Sequence, residues 1–98
     1  MSEEQFTVGH DDAGAVVTAV GQLDLAVKDE LRDVLQPLTG DVVVDLSEVS
    51  FVDSSAIGVL VGAHRRLTEN GGNLRLRNPQ DMPRRVLEIV GLKDWIES

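Results

Sequence analysis

The chain has no cysteine and no tyrosine, only two phenylalanines, one tryptophan and three prolines, and 9 basic side chains against 17 acidic ones. Without cysteine there is no disulfide framework, no thiolate nucleophile and no Cys-ligated zinc, which leaves His10 and His64 as the sole imidazoles. The formal net charge of -8 argues against nucleic acid and anionic membrane surfaces as partners, because phosphate recognition needs clustered excess Lys and Arg. No apolar run approaches the roughly 18 residues of a membrane span. The acidic start MSEEQ lacks the basic-then-apolar order of a secretory signal, so a cytoplasmic location is expected.

What is present suits one small α/β domain over residues 1–98 with an aliphatic core, since 42% of residues are hydrophobic and 27% charged, too apolar a balance for disorder. Charge is spread unevenly: residues 1–53 carry 12 acidic and 2 basic side chains, residues 54–98 carry 5 acidic and 7 basic. Such polarity suits a partner-binding surface as well as it suits solvated faces.

Phe6 to His10 reads as a strand, His10 to Gly14 (with Asp11, Asp12 and Ala13 between) as a turn, and Ala15 to Val20 as a second strand, together an antiparallel hairpin. Asp24 reads as the N-cap of a helix carrying Val27, Leu31, Val34, Leu35 and Leu38 and ending around Pro37 to Gly40. Val42 to Leu46 is a continuous run suited to a central strand, with Asp45 at its end. Asp53-Ser54-Ser55 offers three capping residues before Ile57, Leu60, Val61, His64 and Leu67 at helical spacing, and Asn70-Gly71-Gly72 stops that helix. Leu74 and Leu76 alternate with Arg75 and Arg77 as a strand ended by Asn78-Pro79. Asp81 reads as the cap of a third helix, with Pro83 in its first turn, Met82, Val86, Ile89 and Val90 on one face and Gly91 at its end; Trp95 packs the tail back. The expected fold is α/β, a mixed four- to five-stranded sheet with an antiparallel N-terminal hairpin and packed helices.

The informative chemistry lies at Asp53-Ser54-Ser55. A hydroxyl opening a helix lies near free backbone N–H groups and the positive end of the dipole, which stabilise a phosphate. Only one serine can be the N-cap, and Gly58 and Gly62 leave a helix face bare enough to lie against a strand or partner. Other chemistries fit poorly. A receiver domain needs a phosphate-binding lysine after an apolar strand, and neither Lys28 nor Lys93 occupies that place. A serine hydrolase needs a base near its nucleophile, yet His64 lies roughly 13 Å along the helix from Ser55. No nucleotide-binding glycine loop occurs, and the spacing of Asp45, Ser47 and Asp53 does not converge on a cation. The pairs Arg65-Arg66 and Arg84-Arg85, with Arg75 and Arg77, have no interleaved aromatics for stacking on bases and read as solvated faces. No catalytic residue, metal or cofactor is expected.

The stretch Val44-Asp45-Leu46-Ser47 with Phe51-Val52-Asp53-Ser54-Ser55 resembles the central block of STAS domains, in particular the anti-sigma factor antagonists. Gly21-Gln22-Leu23-Asp24, Leu31-Arg32, Asn70-Gly71-Gly72 and Val90-Gly91-Leu92 are similar to flanking blocks of that family. The resemblance implies a protein that binds an anti-sigma factor, itself an ATP-using serine kinase, and thereby frees a sigma factor. It implies phosphorylation on Ser55, which breaks that binding, and a phosphatase that restores it. The implied contact surface is Asp24, Asp53, Ser54, Ser55, Ala56 and Ile57, with Ala56 where the family commonly has glycine. A monomer or weak homodimer is expected. The same family includes scaffold subunits of transporters and sensory complexes without the phosphoryl switch.

Overall fold

Two valine-rich segments, Gly14–Leu23 and Asp41–Val52, pair at the centre of the sheet that organises the chain. The computed structural model describes residues 5–12 and 14–97; residues 1–4 of the MSEEQ start, Ala13 of the first turn and Ser98 lie outside the described residues. In order come β1 (Phe6–Asp11), β2 (Gly14–Leu23), α1 (Lys28–Leu35), β3 (Asp41–Val52), α2 (Ser54–Glu69), β4 (Asn73–Arg77), α3 (Asp81–Ile89) and a 3-10 turn (Lys93–Trp95). The sheet order is β1-β2-β3-β4, with β1 antiparallel to β2 and the other neighbours parallel. The sheet has four strands: Ile96 adds a single parallel bridge to Leu76, where the Glu97 amide donates to the Leu76 carbonyl at 2.8 Å.

Residues two apart share a face of a strand, so Ala15 and Val17 of β2 align with Val42 and Val44 of β3 and Leu74 and Leu76 of β4, and Ala19 and Leu46 are buried in the same core. Leu31 and Leu35 of α1, Leu60 and Leu67 of α2, and Leu87 of α3 belong with them to one buried core. Val43 points to the other face and is still only 4% exposed, as a central strand requires. On that face Arg77 pairs with Glu97 at 2.9 Å and Asp11 at 3.9 Å. The Glu97 hydrogen bond raises the guanidinium pKa above its ordinary value and fastens the tail to β4.

Several expected boundaries move. The strand read as Val42 to Leu46 continues to Val52, so Asp45 sits inside β3, its Oδ1 accepting from the Ser47 amide at 2.9 Å. The extension escapes an alternation test because β3 pairs with β2 through two register shifts, near Thr18/Val20 and Gly21/Gln22, which displace Val49 and Val52 from the simple period. Asp24 does not cap α1. Its Oδ1 accepts from the Ala26 amide at 3.0 Å and its carbonyl from Val27 at 3.1 Å, a turn that delays the helix to Lys28. Asp81 is inside α3, and Gln80 holds the N-cap position.

The face expected for α3 is also turned. Met82, Ile89 and Val90 are exposed, Val86 is half-buried, and Pro83 and Leu87 are buried. The reason lies at the helix end, where Gly91 has φ 86° and the Leu92 amide donates back to the Leu87 carbonyl at 2.9 Å. This Schellman closure carries Leu92 into the core beside Leu87 and fixes the rotation of the helix. The same closure ends α2, with Gly71 at φ 84° and Gly72 donating to Leu67 at 2.8 Å. Trp95 packs back as expected: its ring stacks on His64, centroids 3.9 Å apart and planes 8° from parallel. Among the described residues no helix is long and apolar enough to cross a membrane.

Candidate functional site

The end of β2 and the end of β3 run side by side, Leu23 opposite Val52, so Asp24 and Asp53 leave the sheet together. The Asp53 amide donates to the Leu23 carbonyl at 3.0 Å. Its side chain then does two things. Oδ1 accepts from the amides of Ser55 at 2.9 Å and Ala56 at 3.2 Å, and Oδ2 accepts from the Leu25 amide at 3.2 Å. Asp53 is therefore the N-cap of α2 and a clamp holding the loop after Asp24 against that helix.

This corrects the expectation that one serine caps the helix. Ser54 and Ser55 are the first two residues of α2, one exposed and one half-buried, and neither hydroxyl has a hydrogen-bond partner among the described residues. The amides at Ser55 and Ala56 are taken by Asp53, so they do not form an open anion cradle. Ala56 is fully buried and Ile57 half-buried against the core, leaving Ser54 and Ser55 as the outward-facing members of the expected contact set on α2.

Both serines open onto a groove of about 480 Å³ between α1 and α2, lined also by Gly58, Gly62, Lys28, Arg32 and Arg66. A Cβ at Gly58 or Gly62 would meet nothing within 4 Å. These glycines therefore do not bring α2 against a strand; they widen the groove. Its far end is closed by Arg66, which donates to the Leu38 carbonyl at 3.0 Å and the Leu35 carbonyl at 2.9 Å, satisfying the C-terminus of α1. Arg66 is thus a packing residue rather than part of a solvated face. Reading the chain for motifs passes over the cationic lining, although one signal is present: Lys28 and Arg32 are the only two cations of residues 1–53, four residues apart on α1. Among the described residues no three His, Cys, Asp or Glu side chains converge as a metal site.

The clamp has a measurable stability. Asp53→Ala is expected to cost about 2 kcal/mol and to lower the melting temperature by roughly 10 °C, because it frees two helix amides and the loop amide at once. Asp53→Asn keeps one acceptor oxygen and should recover about half of that loss. Scanning calorimetry of the three proteins checks the order.

Comparison with known proteins extends the geometry. A profile of the STAS domain matches residues 6–98. The anti-sigma-B factor antagonist of Staphylococcus epidermidis is 38% identical over 92 residues, covering 90% of this chain and 84% of that protein. That of Bacillus subtilis (strain 168) is 36% identical over 84 residues, covering 83% and 77%. The fold matches the anti-sigma factor antagonist SpoIIAA in its unphosphorylated form with a TM-score of 0.83 at 24% identity, covering 94% of this chain and 85% of that one. It matches the phosphorylated form of the Bacillus protein with a TM-score of 0.74 at 26% identity, covering 94% and 88%. The profile over nearly all of the sequence and the curated relatives agree, and the chain belongs to the STAS domain family of anti-sigma factor antagonists.

Proposed function

We propose that this chain is an anti-sigma factor antagonist that works as a phosphorylation switch at Ser55. The observation that carries this reading is the division of labour at the start of α2: Asp53 does the capping, so the Ser55 hydroxyl has no structural task and faces the groove. The relatives' name, antagonist of an anti-sigma factor, supplies the class of partner, and the structure of SpoIIAA in a phosphorylated form supports the modification. The work of such a protein is binding, not turnover.

In this reading the unphosphorylated chain binds the anti-sigma factor through Asp24, Asp53, Ser54, Ser55 and the half-buried Ile57, with Ala56 beneath them in the core, in the cytoplasm, as a monomer or weak homodimer, and the sigma factor is freed. Nucleic acid and membrane take no direct part. The anti-sigma factor is also a serine kinase. Ser55 Oγ attacks the γ-phosphorus of ATP, the Oγ–P bond forms, the bond from that phosphorus to the bridging oxygen of ADP breaks, and the hydroxyl proton leaves to a base of the kinase. The product carries about -1.5 to -2 further charge beside Asp53, and a surface complementary to a neutral hydroxyl no longer fits it. Hydrolysis of the phosphoserine by a phosphatase, with water as acceptor, resets the switch.

The test is transfer of labelled phosphate from ATP to the purified protein in an extract of its own host. Wild type and Ser54→Ala should take label, and Ser55→Ala should lose it entirely. Label retained in Ser55→Ala, or absent from wild type across several stress conditions, would replace the switch with a constitutive scaffold.

A further inference from the structure

We propose that Lys28 on α1 is the ion-pair partner of the phosphate on Ser55, across the groove between α1 and α2. The inference rests on the assignment of Ser55 as acceptor. A phosphate at the start of a helix is ordinarily held by the free amides there. Here the Ser55 and Ala56 amides already donate to Asp53 Oδ1, and the Leu25 amide to its Oδ2. The phosphate therefore finds a carboxylate where the usual cradle would be and must take its counter-charge from elsewhere.

The groove supplies three cations. Arg66 is committed to the Leu35 and Leu38 carbonyls, and Arg32 is held by Asp29 at 2.8 Å. Lys28 has no hydrogen-bond or ion-pair partner among the described residues. It stands three residues after Leu25, which is tied directly to Asp53, and it lines the same groove as both serines. An ammonium on a flexible four-carbon stem can follow a phosphate without a fixed approach, which the planar guanidinium of Arg66, locked on two carbonyls, cannot do. The groove is wide because Gly58 and Gly62 present no side chains, leaving room for the phosphate.

The charged groups around the phosphate are then Lys28 and the Arg32–Asp29 pair on α1, Asp24 in the loop and Asp53 at the N-cap of α2, with Arg66 at the far end of the groove. The carboxylates raise its second ionisation and the cations lower it. To test the pair, phosphoserine is placed at position 55 of the full chain through an expanded genetic code, and its second ionisation is followed by phosphorus NMR. Lys28→Met should raise that value by about 0.5, Lys28→Arg should restore it, and 1 M salt should shrink the difference. Arg65→Met, on the exposed side of α2, should leave it unchanged. An unchanged value in Lys28→Met overturns the proposal, and so does an equal rise in Arg65→Met, which would mark general charge loss rather than a contact. Amide spectra of the unphosphorylated variants verify the fold. Because the phosphate is installed without a kinase, an unchanged titration refutes the ion pair alone, whereas failed labelling of Ser55 in host extract refutes the switch.

Discussion

Ser55→Asp is expected to weaken binding to the anti-sigma factor by on the order of 100-fold, about 3 kcal/mol, while Ser55→Ala binds within about threefold of wild type. The carboxylate of the variant would lie on the groove wall next to Asp53, and a partner surface that covers this end of α2 would have to desolvate both charges. Unfolding does not explain such a loss, because an acidic side chain in the first turn of a helix is favoured by the dipole, by roughly 0.3–1 kcal/mol, and repulsion from Asp53 largely offsets that gain. Calorimetric titration of the host's anti-sigma factor with wild type and the two variants, alongside their melting curves, separates the effects. Undiminished binding by Ser55→Asp would leave the serine as surface chemistry without a switch.

Gly72→Ala is expected to damage the fold far more than the same change at its neighbour Gly71; among the glycines only Gly14, whose Cβ would meet the Asp41 carbonyl, is as crowded. A Cβ at Gly72 overlaps the Gly40 carbonyl, in the backbone that starts β3. The neighbouring Asn73 amide donates to the same Gly40 oxygen at 3.1 Å, and Asp41 and Asn73 form the first rung between β3 and β4. Neither chain can retreat without breaking that rung. The expected cost is about 3 kcal/mol or more, a fall in melting temperature of roughly 15 °C. Gly71→Ala is the matched comparison: its φ of 84° disfavours any side chain, yet a Cβ there meets nothing within 4 Å, so only the backbone penalty of roughly 1–2 kcal/mol applies. Denaturant unfolding should place Gly72→Ala well below Gly71→Ala. Equal stabilities would mean that the strand junction yields.

The elements that the residue pattern locates are those whose signals are local. Valine runs mark β2 and the start of β3, and paired glycines after Asn70 mark the end of α2. Asp53-Ser54-Ser55 places the start of α2 within a residue but leaves open which side chain caps it, because all three types can. That choice depends on Leu25, whose amide needs the second carboxylate oxygen and which is brought there by the pairing of β2 with β3. The length of β3 and the rotation of α3 have the same kind of origin. Ser47, Glu48 and Ser50 are strand residues because β2 runs beside them, and Leu87 faces inward because Gly91 turns Leu92 back under it. Arg66 shares with Ser55, Gly58 and Gly62 one face of α2 at helical spacing, but Lys28 and Arg32 come from α1, on the other side of β3 in sequence, so no spacing rule along the chain brings those two cations to Ser55.

The stack of Trp95 on His64 has an optical consequence. Trp95 is the only tryptophan, so the ultraviolet emission of the chain comes from a single half-buried ring stacked on the His64 imidazole and packed against the core. His64 stands nine residues beyond Ser55, roughly 13 Å along the helix. The chain thus carries a fluorophore that reports the attachment of its C-terminal segment, at the opposite end of α2 from the phosphate. Charge at the groove and seating of the tail can be followed in one sample by separate signals, phosphorus resonance for the first and indole emission for the second.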